Sequence, residues 1–67
     1  MPFWNVEFSV IPAGKQAGDE EDVEMWVEAG NSRDALLCAA ARLLLKEGEL
    51  LHTVHVGAPR EMPPRTK

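Results

Sequence analysis

From Phe3 to Ile11 the chain reads FWNVEFSVI, large apolar side chains alternating with polar ones until Pro12 ends the pattern. Trp4, Val6, Phe8 and Val10 fall on one phase, Asn5, Glu7 and Ser9 on the other. A period of two, rich in aromatic and β-branched residues, is the pattern of a strand with one face in a core and one in water. A strand of that kind constrains everything after it. The remaining residues must supply strands to pair with its edges and a cover for its apolar face.

The next alternating run, VEMWVEAG from Val23 to Gly30, points Val23, Met25, Val27 and Ala29 one way and Glu24, Trp26 and Glu28 the other. It is the expected return arm of a hairpin, reached through PAGKQAGDEED. That connection is longer than a tight turn requires, and its composition suggests mobility. GNSRDALLCAAARLLLKEG then predicts a helix of about four turns. Asn31 or Ser32 can cap it, Asp34 favours its positive end, Lys46 lies near its other end, and Gly48 suits a left-handed terminating residue. At about 100° per residue, Leu36, Leu37, Ala40, Ala41, Leu43 and Leu44 gather into one broad arc that Cys38 and Leu45 extend. ELLHTVHVG resumes strand alternation, Val54 and Val56 inward, Thr53 and His55 outward.

The expected fold is therefore α+β: a two-layer β-β-α-β domain with a three-stranded, mainly antiparallel sheet and one helix packed on one face. The first strand, with the most core-facing bulk, is expected in the centre, a parallel pairing of strands two and three being the alternative. The domain spans residues 1–58, followed by a proline-rich, basic tail over 59–67. A core this small rarely supplies more than about 3–5 kcal/mol. With one cysteine among the 67 residues, no intramolecular disulfide can add to it. Self-association is the expected supplement, a homodimer using the helix flank of Leu37, Cys38, Ala41 and Leu45.

No apolar run approaches the roughly 18 residues that span a bilayer, and no basic stretch precedes the first apolar residues. A cytoplasmic protein without membrane contact is expected. The net charge of −4 argues against direct binding of nucleic acid, which requires clustered Lys and Arg. A protein partner with a basic surface suits it better.

One helix covers one face of the sheet. The other face is left with Asn5, Glu7, Ser9, Glu24, Trp26, Glu28, Thr53 and His55. A tryptophan among carboxylates invites a cover, because burying it removes roughly 150–250 Å² from water. The Met62-Pro63-Pro64 tail, a second copy or a foreign protein could each supply that cover. A one-residue shift of register would instead turn Trp26 inward. Asp19, Glu20, Glu21, Asp22, Glu24 and Glu28 form an acidic run without a compensating base, so the expected partner-binding set is Trp26, Glu24, Glu28, Glu7, Asp19, Glu20, Glu21 and Asp22.

Catalytic chemistry is not expected. His52 and His55 are three apart, a spacing that points them to opposite faces of a strand and disfavours a shared metal. Cys38 lies among apolar neighbours without an adjacent base. The glycines lack phosphate-loop spacing, and Glu20 and Glu21 lie in a loop with nothing to split their pKa values. No cofactor or metal site is expected.

The segment VEAGNSRDALLCAAARLLLKEGELLHTVHV, about half the chain, resembles a pattern found in very small phage and mobile-element proteins. In that pattern a strand ends in Val-Glu-Ala, a capped helix with small residues follows, and a short strand closes. Some anti-CRISPR proteins share this β-β-α-β look. The resemblance implies a non-enzymatic inhibitor that occludes a basic nucleic-acid-binding surface of another protein. The alternative is a structural homo-oligomer using the same face, with no foreign partner.

Overall fold

The computed structural model describes residues 1–61. Its elements are β1 (Phe3–Ile11), β2 (Glu21–Glu28), α1 (Ser32–Arg42) and β3 (Leu50–Val56). The strands form one antiparallel sheet in the order β2-β1-β3, with β1 central. The alternative parallel pairing of the second and third strands does not occur, because β1 lies between them.

The connection from β1 to β2 is two consecutive hydrogen-bonded turns. Lys15 N–H donates to the Pro12 carbonyl and Asp19 N–H to that of Gln16, both at 3.0 Å. Gly14 and Gly18 occupy the third position of these turns at φ +79° and +108°, where an L side chain would be strained. The glycines thus build a folded link where composition suggests a mobile one.

Register puts Trp4 opposite Val27, Val6 between Met25 and Val56, and Phe8 between Val23 and Val54, all on the helix side. Val6, Phe8, Val10, Val27 and Ala29 are buried there with Ala35 and Ala39 of the helix. Trp4 fastens the lower corner, its Nε1–H donating to the Ala29 carbonyl at 2.9 Å. Asn31 caps α1 by accepting from Asp34 N–H at 2.8 Å and donating to the Asp34 carboxylate at 3.2 Å.

The helix differs from its expected form in length and in facing. It ends at Arg42, after three turns, with Leu43 extended at φ −74° and ψ 119°. The chain leaving β2 must climb the full height of the sheet to begin β3 beside Ile11. Extended residues rise about 3.3 Å each against 1.5 Å in a helix, so extended chain completes the climb in fewer residues. Gly48 has φ +86° but lies in a separate Lys46–Glu49 turn, closed by Glu49 N–H on the Lys46 carbonyl. The expected apolar arc is corrected too. Ala35 and Ala39 are fully buried and Leu36 and Leu43 half-buried, whereas Leu37, Ala40, Ala41 and Leu44 are exposed. Small side chains one turn apart let the helix axis approach the sheet, and leucines at those two positions would hold it off.

Candidate functional site

The uncovered face of the sheet follows from the same register. Across it run four rows: Asp22, Ser9 and Thr53; Glu24, Glu7 and His55; Trp26, Asn5 and Gly57; Glu28, Phe3 and Arg60. Trp26 stands on this face, half-buried, as the alternation predicts, and no slip of register turns it inward. Glu7, Glu24 and Glu28 lie in the neighbouring rows and Asp22 one row beyond, all exposed.

Not all of the expected acidic set gathers here. Glu21 opposes Val10 and so takes the helix-side phase, while Asp19 belongs to the turn before β2. Glu20 turns toward its own loop. Its carboxyl is held below the ordinary carboxylate range, first by its own backbone N–H and that of Gly18, then by His52. His52 Nε2 lies 3.6 Å from Glu20, across the end of the sheet. The two histidines thus take different neighbours, His52 at Glu20 and His55 opposite Glu7. Among the described residues no group of three or more His, Cys, Asp and Glu could hold a metal.

Three features of the face are costly for an isolated protein. Glu7 and Glu24 are direct cross-strand partners, a like-charge pairing that destabilises a sheet. The Asn5 Nδ2 donor is buried with no acceptor among the described residues; such a group typically costs about 1–3 kcal/mol. Trp26 keeps part of its ring in water.

The third of these is partly relieved from within. Beyond β3 the chain continues beside β1: Gly57 N–H donates to the Asn5 carbonyl at 2.8 Å, and Phe3 and Arg60 exchange both backbone bonds at 2.6 and 2.7 Å. That pairing places the Arg60 guanidinium carbon 5.3 Å from the centroid of the Trp26 ring, within cation–π range. Arg60 is the member of this face that sequence reasoning missed. Its signal was thin, since Pro59 precedes it and strand alternation had already ended. The Met62-Pro63-Pro64 cover lies outside the described residues.

The helix-flank set is less unified. Leu37 and Ala41 are exposed, Leu45 is exposed beyond the end of the helix, and Cys38 is half-buried against the core cluster.

Fold and site together define a class, a small two-layer β-β-α-β domain with an acidic, aromatic open sheet face. Comparison with family models, curated proteins and solved structures finds no match for the chain. No helix among the described residues is long and apolar enough to cross a membrane.

Proposed function

We propose that the protein is a binding module for another protein, and that the open sheet face centred on Trp26 docks on a basic surface. The observation that carries this reading is the Arg60 guanidinium over the Trp26 ring. The face already receives a cation from its own chain, beside carboxylates that oppose one another across β1 and β2. An arginine or lysine from a partner would gain the same ring and relieve the Glu7–Glu24 repulsion.

In its most concrete form the module is an inhibitor of the anti-CRISPR kind, occluding a basic groove that otherwise holds nucleic acid. Spaced negative charge would steer association, and Trp26 would anchor the complex once formed.

The test is a pull-down from lysate of the source cell, followed by binding kinetics on the purified pair. Trp26→Ala should weaken the complex by more than about 2 kcal/mol, roughly 30-fold. Neutralising Glu24 and Glu28 together should chiefly slow association and flatten its salt dependence. Arg60→Ala should tighten binding by about two- to fivefold, because a cation–π contact of about 0.5–1 kcal/mol no longer has to be displaced. A captured partner that binds all these variants equally would refute the assignment of this face.

A further inference from the structure

The two edges of the sheet differ in a way that bears on assembly. In an antiparallel ladder, residues alternate between pointing their N–H and C=O groups to one neighbour and to the other. Gly57 N–H points to β1, so Val54 and Val56, at the opposite phase, turn theirs to the open edge of β3. The same alternation turns Asp22, Glu24, Trp26 and Glu28 to the open edge of β2. That edge is guarded, since β2 carries four carboxylates in eight residues (EDVEMWVE) and a second copy would meet like charge. β3, LLHTVHV, carries neither an acidic residue, nor lysine, nor proline.

Side chains along β3 are open as well. Leu51 and Val54 have the helix-side phase, yet they are 46% and 40% exposed, because α1 lies mainly over β1 and β2. Leu50 is 61% exposed, and Leu45, in the connection before β3, 42%. Beyond the bulge at His52 this is an uncharged strand edge backed by apolar side chains, and folded proteins usually blunt such edges with charge, proline, a bulge or a covering element.

We infer that β3 pairs antiparallel with β3 of a second copy, making one continuous sheet in the order β2-β1-β3-β3′-β1′-β2′. Size selects the occupant, because a 67-residue chain with a single cysteine has self-association as a remaining source of stability. Two chains of net charge −4 repel over most of their surface, and β3 is the strip where an acidic chain can meet itself without opposing carboxylates. A two-fold axis perpendicular to the sheet sets both helices on one side and both Trp26 faces on the other. The outermost strands are then separated by five strand spacings, about 24 Å. This interface is separate from the Trp26 face and stands whether or not that face binds a partner. If it does, the dimer presents the face twice, and avidity adds to single-site affinity.

The experiment is amide hydrogen exchange by NMR, with sedimentation equilibrium, on the whole chain from about 1 µM to about 1 mM, the range expected of a small interface. A dimer should form with concentration, and the Val54 and Val56 amides should change from fast to slow exchange as it does. The Thr53 and His55 amides, bonded to β1, should be protected throughout. Val54→Lys should remain monomeric with its sheet circular dichroism intact. Should that variant fail to fold, the wild-type exchange pattern decides alone. A monomer at every concentration would overturn the inference. So would a dimer in which Val54 and Val56 still exchange fast, a result that assigns assembly to the Leu37 and Ala41 flank or to the Trp26 face.

Discussion

The facing of α1 makes its strongest prediction through a pair of substitutions with opposite expectations. Ala39 is fully buried, one turn after Ala35, over the cluster of Val6, Phe8 and Val27. Ala39→Leu adds three carbons beyond Cβ. With room for them, each would contribute about 0.8 kcal/mol. Without room, the helix must lift or side chains must leave their rotamers, at about 1–3 kcal/mol. A domain of this size has roughly 3–5 kcal/mol in hand, so the loss is a large fraction of the whole. With a urea m-value of about 1 kcal/mol/M, a loss of about 2 kcal/mol lowers the midpoint by about 2 M. Leu37→Ala is the counterpart. Leu37 is 57% exposed, so truncation removes less than half of a leucine's burial, while alanine is the better helix former. The net loss should stay below about 1 kcal/mol. Both should be measured by urea unfolding at low protein concentration, where assembly adds nothing to stability. A tolerated Ala39→Leu beside a Leu37→Ala that loses about 2 kcal/mol would refute the observed helix face and favour the leucine arc read from sequence.

Two further outcomes follow from single contacts. Trp4→Phe removes the bond to the Ala29 carbonyl, leaving a buried acceptor unpaired; a loss of about 1–2 kcal/mol is expected, each kcal/mol lowering Tm by roughly 4–8 °C in calorimetry. An unchanged Tm would mean that the corner is held by packing alone. Glu20 binds its proton more weakly in the folded chain, so its contribution is present above the unfolded carboxyl pKa and lost as pH falls through the depressed folded value. Thermal melts in the acid range should therefore show a shallower loss for Glu20→Gln than for the wild type. Parallel curves would remove the loop hydrogen bonds from the account.

The strands were legible because their signal is local and repeats every two residues. Alternation in FWNVEFSVI and VEMWVEA alone set which side chains share a face, and it put Trp26, Glu24 and Glu28 on the open one. The central place of β1 followed from its bulk. The helix was less legible because its burial is a compromise between hydrophobicity and distance. Counting leucines favours the arc of Leu37 and Leu44, whereas the geometry of a close crossing over a narrow sheet selects Ala35 and Ala39. Its end was hidden for a related reason. Leu43, Leu44, Leu45 and Lys46 are good helix formers, and propensity yields to the need to reach the start of β3. Arg60 illustrates a third kind of loss, since its pairing with Phe3 joins residues 57 positions apart and no local period announces it.

In an isolated domain the open face carries three local costs. Among the described residues Glu7 faces Glu24, Asn5 holds an unpaired donor, and Trp26 is covered only in part. Each of these has a simple remedy in an isolated domain: a lysine at one of the two glutamates, a valine or threonine at Asn5, a polar residue at Trp26. Two of these costs share a sign, since a cation on the face would relieve both the Glu7–Glu24 repulsion and the part of the Trp26 ring left in water. Arg60 supplies one such cation to the Trp26 ring. Glu7 and Glu24 take no salt-bridge partner among the described residues, and theirs is the charge that a basic partner would meet under the proposed docking.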